Sequence, residues 1–474
     1  MDIPFAIQSY KDDSLPVSAQ SCVNAYAELE PPDAKTPVKV QGVPGVDLFA
    51  TCGVGPVRGM CDLAGLAYVV SGNALYTVDN LANVSLIGAG ISGTAPVSMA
   101  PNGIQIAITN GVSGYIYDTS TVTFQQILDP SFVPASTVTC LDDYFIFDHV
   151  GTNQFILSDL LDGTTYDPTM FASAESDPDR VIGVHGVNGT LAIAGERTIE
   201  FWQDTGAVDF PWQVMKGATV ERGVASPLAW AEEDDGHFFL GNDLVFYRLV
   251  GTQPQRASTH ALEKEWATYS TTADAFCHSV TFGGHKFIYL TFPTANVTYG
   301  FDVATNLWHQ RASTGAGGAL NRWRANCSLL AFSSTKMLIG DSLSGAIGAI
   351  SPTNYGTEFG TPILLDMISP HIDGHGVEVF MPEFQLDMEG GTGIATGQGS
   401  DPQVMMSYSD DGGRTWSNEA WMPLGQVGQY LLRLRWTRLG SFYQRALRIK
   451  ISDPVKRTII RARAPGLYYG MSGG

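Results

Sequence analysis

Seven times between residues 56 and 352 the chain runs through two short apolar or alternating segments separated by a short polar stretch, with Gly, Asn or Asp in six of the seven, and this recurrence constrains the fold most strongly. Leu66–Val70 and Leu75–Val78 flank Ser71-Gly72-Asn73. Ile104, Ile106 and Ile108 alternate with Gln105 and Ala107, then Asn110-Gly111 leads to Tyr115–Tyr117. Tyr144–Phe147 precedes Phe155–Leu157, Leu191–Ala194 precedes Ile199–Trp202, and Phe238–Leu240 precedes Leu244–Tyr247. Phe287–Phe292 with Val297–Phe301, and Leu329–Phe332 with Met337–Ile339, complete the series. Each unit reads as a β-hairpin. The units begin 38 to 49 residues apart, the length that a four-stranded propeller blade requires. Helical solenoids share that period but need apolar residues at 3.6-residue spacing, and no long stretch has it. The continuously apolar run 287–292 suits a strand covered on both faces by neighbouring blades. The expectation is an all-β chain with a six- or seven-bladed β-propeller, the lower number applying if the first and last units share a closing blade.

Composition agrees. Of 474 residues, 44% are hydrophobic, 16% charged and 11% aromatic, and 52 Gly with 25 Pro supply turns. Such a chain can bury a large core, and disorder throughout is excluded. Its length suits two or three domains. Residues 1–48, with Pro31-Pro32, Pro37, Pro44 and few apolar runs, read as an extended N-terminal arm lying on a surface or a partner. The propeller is expected over 49–357. Beyond it come longer strands, Val377–Phe380, Val404–Tyr408, Leu431–Trp436 and Ala446–Ile451, with a Gly-rich loop at 388–402, so 358–474 reads as a C-terminal β-sandwich.

The charge is 27 basic against 47 acidic residues, net −20, which argues against a protein that reads duplex DNA in its grooves. There is no run of 18 apolar residues, so no membrane insertion is expected, and Met1–Phe5 begins no secretory signal. Cys22, Cys52, Cys61, Cys140, Cys277 and Cys327 form no C-x-x-C pair and are expected as free thiols of a protein made in a reducing cytoplasm. In that setting the Asn-x-Ser/Thr matches at Asn83, Asn188, Asn296 and Asn326 carry no weight. Between 433 and 463 lie ten basic residues and one acid, Asp453, net +9, leaving −29 elsewhere. Arg433 and Arg435 alternate with Leu432, Leu434 and Trp436, and Arg448 and Lys450 with Leu447, Ile449 and Ile451. A period of two gathers these cations on one sheet face. That face is a candidate subunit interface for an acidic neighbour, another copy of the chain included; the competing readings are a solvated sheet face and contact with DNA phosphate.

Candidate chemistry is sparse, and no catalytic, cofactor-binding or metal-ligating set is assigned. Gly88-Ala89-Gly90-Ile91-Ser92-Gly93 matches G-x-G-x-x-G, but Pro96 falls where a dinucleotide-binding helix should establish itself, so an inter-blade turn is expected. His371 and His375 are four apart, yet Asp373-Gly374 between them favours a turn over the helix that would aim both at one metal. Glu232-Glu233-Asp234-Asp235 before Gly236 reads as a solvated turn. Opposed glycosidase carboxylates could come from anywhere in the fold. Ser409-Asp410-Asp411-Gly412-Gly413-Arg414-Thr415-Trp416 matches the Asp-box S-x-D-x-G-x-T-W of sialidases and other propeller proteins. Its expected task is structural: Asp411 accepts turn amides from a scaffold of Ser409 and Thr415, Gly413 takes a positive φ, and Trp416 packs beneath.

A longer ordered set carries a family likeness. Phe155–Asp167 leads to Phe171–Glu175 and Pro178-Asp179; Gly195, Thr198–Trp202, Thr205-Gly206 and Asp209–Pro211 follow. Then come Glu221-Arg222-Gly223, Pro254–Ala261, Ser409–Glu419, Gly428-Gln429-Tyr430, Arg438-Leu439-Gly440 and Ile451–Lys456, with Pro16–Gln20, Asn24–Glu28 and Gly42–Gly45 near the start. This set resembles the packaged-DNA stabilisation proteins, also called tail-hub or nozzle proteins, of short-tailed bacteriophages. The resemblance implies a non-enzymatic virion protein, assembled in the host bacterial cytoplasm, that forms a hexameric ring below the portal and its adaptor ring. It further implies that the ring retains packaged DNA, bears a tail needle or plug and tailspikes or fibres, and gives the DNA its exit channel. It implies no cofactor. Two rival readings are a sialidase-like propeller glycosidase, with convergent Arg, Tyr and carboxylates at the propeller axis, and a glycan-binding adhesin with aromatic platforms on one blade face.

Overall fold

The computed structural model describes residues 2–470 except Pro4, Ala6, Val208 and Asp235. It is almost wholly β, with one α-helix, His260–Trp266, and one 3-10 turn, Ala316–Gly318, among the described residues. Seven four-stranded antiparallel blades follow one another. Their innermost strands are Val57–Leu63, Ser98–Pro101, Val138–Leu141, Val181–Val187, Trp230–Glu233, Phe276–Phe282 and Ala325–Ala331. In the first six units the hairpin read from sequence is the middle pair of strands; in the seventh it is the inner pair, Ala325–Ala331 with Lys336–Asp341. The outer strand of blade seven is Val46–Thr51, which pairs antiparallel with Ala346–Ile350. A strand from before blade one thus closes the ring, and the blade number is seven.

Why the blades form is visible in their cores. Seven buried clusters each join two adjacent blades, from the pair one and two (Tyr68, Val70, Ile106, Ile108) round to the pair seven and one (Val57, Val69, Leu338, Ile347). Middle strands are therefore apolar on both faces, as in Phe287–Phe292. The helix His260–Trp266 caps the rim between blades five and six, burying Leu262 and Trp266 against Phe246 and Trp308.

The sandwich has two sheets. One orders Ala25–Leu29, Val38–Gly42, Thr458–Arg463, Glu383–Met388 and Leu434–Thr437; the other runs Ala19–Val23, Leu365–Ile368, Gln444–Ile451, Gln403–Ser409 and Ala420–Pro423. Its core holds Met367, Phe384, Met406, Trp436 and Ile449 together with Ile3, Phe5, Cys22 and Val40 from the first 48 residues. The segment expected as an arm is thus woven into both sheets. Within it Val23 bridges in parallel to Gln310, the outer strand of blade six, so blade six and one sandwich sheet form a continuous eleven-stranded sheet.

Polar side chains secure that junction. Asn24, fully buried with φ 58°, donates Nδ2 to the carbonyls of Ala312 and Leu364 at 2.8 Å each and accepts the Ala312 amide at 2.9 Å. Arg457, 1% exposed, donates to the carbonyls of Ile363 (2.7 Å) and Tyr355. Gly42 lacks a Cβ where one would stand 3.0 Å from that guanidinium. Burial and nearby Arg311 push Arg457 down to about 9.

Candidate functional site

The seven inner strands surround an axial cavity of about 530 Å³, with a second of about 520 Å³ at the mouth where those strands begin. Arg58 is a lining residue, but its guanidinium is 1% exposed and donates to the carbonyls of Ala95 (2.7 Å), Gly72 (2.9 Å), Ser92 (2.8 Å) and Ile91 (3.5 Å). It ties the start of blade one to the connection that leads into blade two. His185 stacks on Trp230 at 4.5 Å and 2°. Burial pushes His185 and His278 down to about 3, so both line the cavity as neutral imidazoles. Glu232, the first residue of the acidic run, also lines it, while Glu233 and Asp234 pair with Lys286 and Asp235 lies outside the described residues. Among the described residues the lining of this cavity offers one guanidinium already committed to four carbonyls and the Glu232 carboxylate, with no Tyr beside them, unlike the cluster that the glycosidase reading required.

The remaining sequence candidates fall into scaffold roles. Gly88-Ala89 end the outer strand of blade one, and Gly90 and Ile91 donate to the Asn73 carbonyl before the next blade begins. His371 meets the Leu15 carbonyl at 2.9 Å and His375 stands 3.4 Å from Asp373. The Asp-box forms as its chemistry dictates: Asp411 accepts the Ser409 hydroxyl (2.7 Å), the Arg414 and Thr415 amides (2.9 Å) and the Thr415 hydroxyl (2.6 Å). The Thr415 hydroxyl and amide hold the Asp411 carboxyl well below the usual range. Gly413 takes φ +89°, and a Cβ there would strike Ala19 at 2.9 Å, so the N-terminal segment lies across this turn. Trp416 is half-buried with Arg448 5.4 Å over its ring. All six thiols are free.

The four cations expected on one face are divided. Arg435 lies on one sheet and Arg448 and Lys450 on the other, so their outward sides point apart; Arg433 precedes its strand, which spans only Leu434–Thr437. Three are neutralised inside the chain. Arg435 grips Glu383 at 2.6 and 2.8 Å, Arg448 holds Asp366 at 2.8 and 2.5 Å, and Lys450 meets Glu419 at 3.0 Å. Sequence reading missed these partners because they sit on strands tens of residues away. With Asp410–Arg445, Asp387–Arg463 and Glu389–Lys456 added, the sandwich answers its own basic segment. Residues 358–474 carry a net charge of −1 and residues 1–357 carry −19.

The unanswered charge lies in the propeller. Residues 101–250 contain 21 acids and five bases, and between Arg58 and Arg180 there is no Lys or Arg at all. The other surface absent from the sequence reading is apolar. Leu431 (95% exposed), Tyr430 (69%), Trp421 (60%) and Val427 (56%) stand exposed on the edge strand Ala420–Pro423 and the loop that follows it. The run Leu431–Leu432, read as the start of a core strand, is instead exposed loop.

A closed seven-bladed propeller sharing a sheet with a two-sheet sandwich defines a protein of the propeller–sandwich type. Family models for the bacteriophage P22 Gp10 β-propeller and the P22 Gp10 β-sandwich match residues 1–355 and 365–466 respectively. The chain belongs to this family of phage structural proteins. No curated protein matches it in sequence. Among solved structures it is similar to the extracellular domain of the putative one component system BT4673 of B. thetaiotaomicron, with 9% identity, 80% of this chain and 47% of that one covered, and TM-score 0.43. It is similar to PorZ of Porphyromonas gingivalis at 12% identity, 79% and 46% coverage and TM-score 0.38. It is also similar to the Myceliophteria thermophila Cps50 (Swd1) β-propeller domain at 8% identity, 64% and 98% coverage and TM-score 0.42. The chain spans about half the length of the first two.

Proposed function

We propose that copies of this chain assemble into a ring at the tail exit of a short-tailed phage, hold the packaged genome and give it its passage on ejection. Membership of the P22 Gp10 family across both domains carries this reading. The charge supports it. A conduit that bound phosphate through many cations would release counterions at each contact and brake the moving duplex. The propeller instead offers a carboxylate-rich surface, net −16 over residues 101–250, that repels the backbone. Seven inter-blade cores also make a stiff body suited to a fixed bore. In this reading the ring is hexameric, contacts a portal adaptor, and carries the needle or plug and the spikes. The test is genome retention. Particles assembled without this chain should package DNA and then lose it, measured as nuclease-accessible DNA over time; particles that keep their DNA as well as complete ones would overturn the proposal.

A further inference from the structure

We propose that the exposed sandwich corner, made by the edge strand Ala420–Pro423 and the loop 424–433, docks head to tail onto the blade-three and blade-four turns of a second copy of this chain. This rests on the ring reading above and names the two surfaces that would build the ring.

The corner has the features of a surface awaiting a partner. Ala420–Pro423 and Leu434–Thr437 are the last strands of their respective sheets, on the same side of the sandwich, and Trp436 Nε1 donates to the Ala420 carbonyl at 2.9 Å to hold them together. Their outer backbone edges are open to pairing. The loop is braced, with the Leu424 amide donating to Pro402 at 2.7 Å and the Gly428 amide to Gly391 at 3.3 Å. With the edge strand it nevertheless displays Trp421, Val427, Tyr430 and Leu431 to solvent within one short stretch of chain, the kind of exposed apolar concentration that marks an interface. Arg433 and Arg438 flank it, exposed, and among the described residues their side chains make no ion pair or hydrogen bond, unlike most other cations of the sandwich.

The propeller supplies the complement in charge and polarity. Turns that follow the first and third strands of each blade emerge at one end of the propeller. There Leu160 (55% exposed) and Leu161 (43%) lie beside Asp142, Asp143 and Asp159, with the Leu161 amide donating to the Asp143 carbonyl at 3.0 Å. Asp204, from blade four, faces Asp142. Burial raises both Asp142 and Asp159 above the ordinary value, helped by Asp204 and Asp143 at the first and by Asp162, Asp167 and Asp129 at the second. The chain has no Lys or Arg between Arg58 and Arg180, and among the described residues none of the Asp142, Asp143, Asp159 and Asp204 carboxylates is in an ion pair, which leaves them open to a partner's cation. Two different patches in contact give a heterologous interface, which closes into a ring when its rotation permits.

The test mixes two full-length variants, Leu431→Cys and Leu160→Cys, under mild oxidation, beside wild type imaged for rings; both sites are exposed, so folding is not at stake. The expected result is rings for wild type and a heterodimeric disulfide for the mixture, absent when either variant is alone with wild type. Arg433→Asp with Arg438→Asp should weaken association about tenfold or more, and Asp142→Arg with Asp143→Arg should restore it. Rings without the disulfide would overturn this contact and leave the ring standing. Neither rings nor disulfide would overturn both.

Discussion

Propeller and sandwich differ in where their carboxylates find cations. In the sandwich each long-range strand pairing brings an acid from residues 366–419 onto a base from residues 435–463, and the domain ends near neutrality. In the propeller each blade is a local meander whose turns carry Asp as a turn former, and blades one to three contain no base after Arg58. The sandwich therefore cancels most of its charge internally, whereas the propeller, held mainly by apolar seams, buries a few pairs such as His285–Asp302 and Arg324–Asp341 and keeps a large excess of carboxylates.

The sharpest way to break this contrast is at Arg445. It is 1% exposed, bidentate to Asp410 at 2.6 and 2.7 Å, bonded to the Leu439 carbonyl at 2.6 Å and sandwiched between Tyr408 and Phe442 at 4.1 and 4.2 Å. Arg445→Ala should cost about 3–5 kcal/mol in denaturant unfolding of the sandwich, because truncating this large buried side chain empties the space between the two rings and leaves the Leu439 carbonyl unpaired. At the junction, Asn24→Ala leaves the Ala312 and Leu364 carbonyls and the Ala312 amide without their partner. A loss of about 2–3 kcal/mol is expected, with propeller and sandwich melting separately in calorimetry where wild type melts together.

A smaller, pH-dependent effect belongs to blade six. The bond and charge of Asp302, 2.8 Å away, raise His285 above its ordinary 6.5 despite burial. Burial pushes Asp302 up, but His285, Thr305 and the Ala304 amide outweigh it and hold the carboxyl below 3.8. The histidine's contribution is complete below about 6.5 and fades as pH rises through its folded value; that of Asp302 is lost as pH falls below 3.8. His285→Gln should flatten the decline in stability above pH 6.5, followed by urea unfolding across pH. The smallest effect is expected at Lys450→Gln, whose pair with Glu419 is part-exposed at 3.0 Å. About 0–1 kcal/mol, diminishing with salt, separates this surface pair from Arg445.

Much of the propeller was legible because its signal is local: each hairpin declares itself within about a dozen residues, as Leu66–Val78 does. The Asp-box was legible for the same reason, since Ser409, Asp411, Gly413 and Thr415 satisfy one another within a single turn. Strand 46–51 and the arm were not, because their partners lie some 300 or more residues onward, at Ala346–Ile350, Leu365–Ile368 and Thr458–Arg463. Nor was the fate of the basic stripe. The alternation of Leu434 and Trp436 with Arg435 correctly predicts which side chains point inward, but sheet membership and the carboxylate opposite each cation depend on long-range order. The exposed corner was hidden because Leu431–Leu432 continues the apolar alternation of the strand and then departs from it.

The central claim is that this acidic propeller body surrounds the passage of the genome. Electron cryomicroscopy of assembled particles tests it most directly. Density for a closed ring of copies at the tail exit, with the carboxylate-rich blades bordering a channel wide enough for duplex DNA, is the predicted result. Copies found singly on the particle's periphery, away from the DNA axis, would contradict it.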